Sequence, residues 1–496
     1  MIQGTNHRDS ISFGIRWSGT GQVLRAVLHT GVSILLARLL VPEDFGLLAM
    51  ASAVTGFVVV FQFLGTSAPL IQRKELSAEL TQSIFVLNVL LGVVLTAGVA
   101  ASSPLLARVY NSTEVIPVIR VISLSLLLSS FGGVPGALLR REMRFDVLAK
   151  IGLFSAAVQG IVVTVLALLG YGVWALVTAS LVSAATESTL LFRAVNWRPG
   201  WRVHWQEIRS IIRTCLNVTG SNVVNFLTMY ADSLVIGRWL GAVQLGYYNM
   251  AMRFSIQPLR FVSPVVGRVM FPAFSGMQSD PELVRRTTFR ALGGVACLIF
   301  PFMVGMGCVA DLFVPVVLGE KWILIIQPIQ ILILLGILKT PLFLVSSIFL
   351  AKDRSDWFFR LSLMYAATMI TAYLVGVRWG LVGVVTSITV AQFFMTGLQL
   401  TALSKLLEVR LRELLHPLLA PACGALIMGV LVFGTRTLLE PTQLASGWLL
   451  LILISLGVVS YIIVMLTIRP PAISDFLIIL PEPVRRILSR IVKSEK

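Results

Sequence analysis

Charge is scarce in this 496-residue chain: Asp, Glu, Lys and Arg together make up 13% of it, about half the share of a soluble globular protein. Over such a length that shortage excludes a water-soluble enzyme. Disorder is excluded as well, because apolar residues make up 56% and the mean hydropathy is +0.89. Cysteine is nearly absent. Cys215, Cys297, Cys308 and Cys423 lie in apolar segments with no CxxC pair, so they read as small buried hydrophobes, neither disulfide-bonded nor metal-ligating. No G-x-x-x-x-G-K-[ST] nucleotide loop and no HExxH pair occur, so no ATP site, metal or other cofactor is expected. Long polar connections are missing too, which leaves no room for a soluble catalytic domain.

What the chain has is a succession of apolar runs, each near the ~20 residues that carry a helix across a ~30 Å hydrocarbon layer. Breaking it at Pro, Gly and charge clusters gives spans at 14–40, 46–70, 80–101, 115–136, 146–168, 172–193, 208–236, 242–267, 288–310, 323–350, 356–377, 380–403, 414–435 and 446–468. The first run follows a polar N-terminus with no A-x-A-like cleavage site, so it reads as a retained helix. Lys and Arg number 40 against 23 Asp and Glu, a net +17. Their distribution orients the chain. With the N-terminus inside, twenty-nine of the forty fall in the terminal segments and alternate connections. The opposite connections hold six, Arg38, Arg108, Arg238, Lys321, Arg378 and Arg436, never more than one per connection. Positive residues collect on the cytoplasmic side, so both termini are expected in the cytoplasm of a multi-pass inner-membrane protein. The tail 469–496 ends in VRRILSRIVK, whose apolar and basic residues alternate at helical spacing, as suits an anionic membrane surface.

The chain also repeats itself. SILLARLLVPEDFGLLAMA (33–51) lies over SLVIGRWLGAVQLGYYNMA (233–251) without a gap, matching Ser33/Ser233, Arg38/Arg238, Leu40/Leu240, Gly46/Gly246, Met50/Met250 and Ala51/Ala251. RFDVLAKIGLFSAA (144–157) lies over RSDWFFRLSLMYAA (354–367), and Gly172, Val177 and Thr178 meet Gly380, Val385 and Thr386. Spans 1–6 and 7–12 therefore read as copies. Six is even, so the copies share one orientation about an axis along the membrane normal. The expected fold is an all-α integral membrane protein of 14 transmembrane helices: two parallel six-helix lobes plus two extra C-terminal helices. The expected divisions are 1–194, 195–404, 405–468 and the basic tail 469–496.

Two six-helix copies, two further helices and the string ARLLVPEDFG closing the first helix resemble the multidrug/oligosaccharidyl-lipid/polysaccharide (MOP) superfamily. The string looks most like its polysaccharide-transport branch, the Wzx-type flippases. The resemblance implies alternating access and a substrate of undecaprenyl-pyrophosphate-linked oligosaccharide, moved from inner to outer leaflet for exopolysaccharide or lipopolysaccharide biosynthesis. It also implies basic residues in the first and eighth helices.

Polar side chains in hydrocarbon are costly unless they face a cavity or a partner, so each is a functional candidate. Span 1 carries Ser18, Gln22, Arg25, His29 and Ser33 at helical spacing, on one face. Span 7 carries Asn217, Ser221, Asn222, Asn225, Thr228 and Asp232, and span 8 carries Asn249, Arg253, Gln257 and Arg260. The shift that aligns the copies lays Asn225 on Arg25. Guanidinium groups are permanently charged forks suited to phosphate oxygens, so Arg25 and Arg253 form the expected pyrophosphate clamp. Gln22, His29, Asn222, Asn225, Gln257 and Arg260 complete the expected glycan-facing set, with Asp232 and Glu187 as candidate ion-coupling carboxylates. Against this stand plainer roles: Arg25 paired with Asp232 or Glu187 to hold helices together, Arg260 obeying the charge rule at a helix end, and His29 as an interhelical hydrogen bonder. Lys339 and Arg120 have no polar stripe around them, and Arg38 and Arg238 suit the negative ends of helices.

Three other functions suit a chain of this class. An ion-coupled multidrug-type antiporter would want an acidic cavity, whereas these stripes hold more Arg than Asp or Glu. A polysaccharide polymerase or ligase would want a large external loop, and every external loop is short. A scaffold within a glycan-assembly complex is compatible with the basic tail, and polymerase and export proteins would be its partners. Membrane lipids are expected partners on any reading; nucleic acid is not.

Overall fold

The computed structural model describes residues 28–63, 65–73, 75–256, 259, 270, 274–277, 280–439 and 444–468. Between 213 and 229 the backbone is described throughout, but side chains only for Cys215, Thr219 and Phe226. Among these residues the chain is helical and has no strand. Ten helical runs are long and apolar enough to cross a membrane. The chain divides into two compact units, Met1–Asn249 and Met250–Lys496. The basic tail lies outside the described residues.

In the first unit α1 (Leu28–Leu39) leads through Val41 into α2 (Pro42–Gln62). The string VPEDFG builds this junction. Pro42 occupies the first helical turn, where a missing N–H costs nothing. Asp44 reaches back to accept the Val41 N–H at 3.0 Å, and Phe45 is buried. The helix breaks after Gln62 at Gly65 (φ 65) and resumes as the short α3 (Ser67–Gln72). Then come α4 (Ala78–Tyr110), capped by Ser77, α5 (Val115–Ile122), α6 (Leu124–Arg141), α7 (Phe145–Leu168) and α8 (Val173–Ala194).

The last helix, α9 (Trp205–Ser255), is two helices in one run. Asp232 and Tyr248 are 16 residues apart, about 24 Å on a straight helix, yet the Tyr248 hydroxyl donates to Asp232 Oδ2 at 3.1 Å. The chain therefore doubles back at Gly241 (φ 82, ψ −179), a conformation essentially restricted to glycine.

The second unit begins at Met250 with the end of α9, and its next long helix is α10 (Pro281–Phe313), capped by Asp280, whose Oδ1 accepts the Leu283 N–H at 3.0 Å. It continues through α11 (Ile326–Lys339), a 3₁₀ turn at Thr340–Leu344, α12 (Val345–Ala351) and α13 (Ser355–Gly376). It closes with α14 (Gly380–Leu407), α15 (Leu411–Leu439) and α16 (Ser446–Ile468). The run from Ser355 to Leu407 reverses at Gly380 (φ 69), because Ser387 Oγ donates to the Ala372 carbonyl at 2.7 Å. Its core joins Phe300, Met428, Val432, Leu453 and Tyr461. The Arg436–Asp311 ion pair, at 2.6 Å, ties α15 to α10.

The repeat read from sequence recurs in local backbone geometry. Met143 (φ 57) and Asp353 (φ 55) adopt the same left-handed turn, as do Gly172 (φ 54) and Gly380 (φ 69). The following residues bond alike: Arg144 N–H to the Leu139 carbonyl at 3.0 Å, and Arg354 N–H to the Phe349 carbonyl at 2.9 Å.

Where helices break, side chains cover the exposed backbone. Gln62 Nε2 donates to the Leu126 carbonyl at 2.5 Å, Thr96 to the Ser123 carbonyl at 3.1 Å and Ser188 to the Leu128 carbonyl at 2.7 Å. In the second unit Tyr365 bonds Gln392, Gln392 bonds Thr396, and Thr396 bonds the Leu338 carbonyl beside the Thr340–Pro341 break. Gly241→Ala is expected to cost about 1–3 kcal/mol, the penalty of a glycine-only backbone conformation. Thermal unfolding in detergent should show the loss, while Gly98→Ala, with open space around it on α4, should cost nothing.

Candidate functional site

Only part of each of the three polar stripes lies among the described residues. Gln22, Arg25, Gln257 and Arg260 lie outside the described residues. Asn222 and Asn225 are on the first limb of α9, with side chains outside the described set. The residues that can be placed are His29, Glu187, Asp232, Asn249 and Arg253.

His29 is exposed at the start of α1, and one turn on Ser33 is buried, its hydroxyl donating to the His29 carbonyl at 2.5 Å. The stripe thus passes from an open to a closed environment within a single turn. Glu187 is exposed on α8, beside the buried Ser188 that bonds α6.

Asp232 has the best-defined surroundings. Its Oδ1 accepts the Ser233 N–H at 2.6 Å and the Ser233 hydroxyl at 3.2 Å, and its Oδ2 accepts the Tyr248 hydroxyl at 3.1 Å. Tyr248 is fully buried. The carboxylate therefore ties the two limbs of α9 across the Gly241 reversal and has three polar hydrogens for its charge. Sequence reasoning missed Tyr248, whose tip is polar but whose body counts as apolar in any stripe. The signal that could have found it is the glycine-bracketed WLGAVQLGYYN, which marks a reversal and so brings Tyr248 back beside Asp232.

On the second limb Asn249 and Arg253 are four residues apart. Arg253 is half-buried, and Asn249 Nδ2 is buried with no hydrogen-bond partner among the described residues. A buried amide left in this way loses the full hydration of its N–H groups, at a cost of about 1–3 kcal/mol. A site that takes up a polar ligand accounts for such a group. Arg120, by contrast, donates to Ser103 Oγ at 3.0 Å, a single contact of the plain kind. No cluster of metal-ligating side chains occurs among the described residues.

Comparison with known proteins adds the following. A family model described as "Polysaccharide biosynthesis protein" matches residues 35–327. The lipopolysaccharide biosynthesis protein WzxC of Escherichia coli (strain K12) is 30% identical over 404 residues, 78% of this chain and 80% of that protein. The teichuronic acid biosynthesis protein TuaB of Bacillus subtilis (strain 168) is 25% identical over 474 residues, 94% of this chain and 97% of that one. The succinoglycan biosynthesis transport protein ExoT of Rhizobium meliloti (strain 1021) is 29% identical over 288 residues, 58% of each chain. The fold is similar to that of the lipid II flippase MurJ in an inward closed conformation. The TM-score is 0.72 at 15% identity, covering 92% of this chain and all (100%) of that one. It is also similar to an inward-facing multidrug resistance MATE family transporter of the MOP superfamily, with a TM-score of 0.58 at 17% identity.

Replacing Tyr248 by Phe removes a buried donor and leaves Asp232 Oδ2 without that bond, at an expected cost of about 1–3 kcal/mol. A lowered thermal midpoint for Tyr248→Phe, restored in part by the double variant Tyr248→Phe/Asp232→Asn, is the expected result.

Proposed function

The chain belongs to the polysaccharide biosynthesis protein family within the MOP superfamily, and on that premise we propose that it is a flippase for lipid-linked oligosaccharides. It moves undecaprenyl-pyrophosphate-linked repeat units across the inner membrane for a surface polysaccharide. What carries the reading is the relationship, over most of the chain, to proteins named for making lipopolysaccharide, teichuronic acid and succinoglycan. We read its contribution to such a pathway as transport and not catalysis.

The proposed architecture has fourteen spans, the first six and the next six forming two parallel lobes (1–194 and 195–404), with spans 13 and 14 (405–468) added. Both termini and the basic tail are cytoplasmic. The two limbs of α9 are spans 7 and 8, and α13 and α14 are spans 11 and 12.

Chemically, the substrate poses one hard problem: its pyrophosphate must leave water without losing stabilisation of its charge. Arg25 and Arg253 take up that charge through bidentate guanidinium bonds. Gln22, His29, Asn222, Asn225, Gln257 and Arg260 meet sugar hydroxyls or the second phosphate, and Asn249, with its uncommitted Nδ2, joins them. The polyprenyl tail needs no such provision and stays in lipid. Asp232 and Glu187 are the carboxylates available to couple the cycle to an ion. Asp232 is bonded to Ser233 and Tyr248, whereas Glu187 is exposed on its helix.

Two measurements test this. Deleting the chain should abolish one surface polysaccharide and leave its polyprenyl-linked repeat unit accumulated on the inner leaflet; loss of polymer with repeat units reaching the outer leaflet would indicate a polymerase instead. Arg25→Ala and Arg253→Ala should each abolish export with membrane insertion intact, and Arg25→Lys should retain part of it. Full export by the double alanine variant would remove the clamp.

A further inference from the structure

The residues 195–204, between the end of α8 and the start of α9, do not rise away from the bundle. They are strapped to the first turns of α4. The buried Phe85 ring meets Trp197 and Trp201 edge-on, with centroids at 5.5 and 6.0 Å, and Phe192 and Phe131 close around it at 5.8 and 6.3 Å. Gly200 lies against the Gln82 side chain, and the His204 N–H donates to Ser83 Oγ at 2.8 Å. Where the strap leaves α8, Arg144 donates to the Ala194 carbonyl at 3.1 Å. These contacts fix its height. Phe85 stands seven residues into α4, about 10 Å along the axis, inside the apolar run 80–101.

The outward side of the strap is unusual in two respects. Trp201 and Trp205 are 68% and 72% exposed. An indole held beside an apolar run and left so bare suits the boundary between acyl chains and headgroups, where its body is in hydrocarbon and its N–H in water. Around the two rings stand Arg193, Arg198, Arg202 and Arg209, all exposed, and none of the four makes a hydrogen bond or ion pair among the described residues. The carboxylate beside them, Glu207, is taken by Arg73 at 3.6 Å. Other guanidinium groups of this unit are committed: Arg141 donates to the Leu70 and Arg73 carbonyls and Arg120 to Ser103. A ligand that satisfies both features is anionic at one end and apolar at the other.

We propose that the α8–α9 strap is a docking site for anionic phospholipids. The arginine forks take the phosphodiester oxygens, and the two indoles lie along the start of the acyl chains. A zwitterionic lipid is disfavoured because its own ammonium group faces the arginines. A lipid held here binds the folded chain alone and therefore raises its stability. The proposal needs a bilayer-spanning chain and does not depend on the flippase reading.

The test titrates the purified full chain in detergent with phosphatidylglycerol, phosphatidylcholine or undecaprenyl pyrophosphate and follows the thermal midpoint. Phosphatidylglycerol should raise it and phosphatidylcholine should not. In Arg198→Gln/Arg202→Gln/Arg209→Gln the half-saturating concentration of phosphatidylglycerol should rise about tenfold or more, as the loss of three arginines at an anionic surface requires. Arg410→Gln/Arg412→Gln, an exposed pair in the second unit, should leave it unchanged. Equal responses to the two phospholipids overturn the proposal, and so does an unchanged titration in the triple variant. A triple variant impaired toward undecaprenyl pyrophosphate alone overturns it too, since the arginines then serve the polyprenyl lipid. A second measurement does not require the triple variant to fold. In nanodiscs, the fluorescence that Trp201→Phe/Trp205→Phe removes should be quenched more strongly by phosphatidylglycerol brominated on its acyl chains than by brominated phosphatidylcholine at equal mole fraction. Equal quenching by the two overturns the site.

Discussion

Hydrocarbon offers no hydrogen bonds, so every backbone N–H and C=O that a helix releases must be taken up inside the protein. Several of the interruptions answer that demand locally. The α5–α6 break at Ser123 is met by Thr96 from α4, and Gln62, the last residue of α2, donates to the Leu126 carbonyl in the first turn of α6. The 3₁₀ turn at Thr340–Leu344 has Thr396 on the Leu338 carbonyl, held in turn by Gln392 and Tyr365. Lipid-facing positions bear no such duty, and large apolar side chains such as Val430 and Leu438 stand 72% and 77% exposed without cost. Burial of apolar area does little to hold such a bundle together, since lipid is as apolar as leucine. Close packing and satisfied polar groups do it instead.

The same constraint explains why the ionisable residues divide as they do. A carboxylate within hydrocarbon persists only with donors around it, and Asp232 has the Ser233 amide, the Ser233 hydroxyl and Tyr248. Asp311 is neutralised by Arg436 at 2.6 Å. Glu187, exposed on α8, is bonded in neither way among the described residues. The fork of a guanidinium carries its charge at any physiological pH, so Arg253 is suited to hold an anion and unsuited to carry a proton.

Much of this was legible beforehand. Apolar runs, proline and glycine breaks and the alternation of Lys and Arg follow directly from the bilayer, so the helices near 78–110, 145–168 and 446–468 could be read off the chain. Gly46 and Gly246 were visible as a matched pair, but a repeat says only that a residue recurs. That Gly46 meets the Ala242 backbone and Gly246 the Pro42 carbonyl is a fact about the distance between helices, which no single sequence encodes. Tyr248 and Gln392 were passed over because each is a lone polar tip in an apolar run. Asp232 and Tyr365, which bond them, lie beyond a chain reversal, and only Thr396 shares a helix with Gln392. Of the site itself, the stripes gave residue type and spacing, which places Asn249 and Arg253 one turn apart. The uncommitted Asn249 amide needed coordinates to be seen.

The two ends of the first unit are held by forces of different kinds, and that difference bears on which end opens more readily. At the proposed cytoplasmic end the copies meet through Arg73, which bonds Ser210 at 2.7 Å and pairs with Glu207 at 3.6 Å. Both charged groups are about one-third exposed (35% and 34%), and ion pairs in such a setting contribute about 0–1 kcal/mol, less still in salt. At the opposite end the contact is backbone against backbone, with Tyr110 packed beside Gly237. Dispersion there has no competing solvent, and its strength depends on fit, so even one methyl group is excluded. A transporter that must first accept a charged headgroup from the inner leaflet is served by this asymmetry. The Arg73 connection is open to hydration and to competing ions, whereas the backbone contact is open to neither. The outer contact, being backbone on backbone, is parted by shifting a helix and not by turning a side chain.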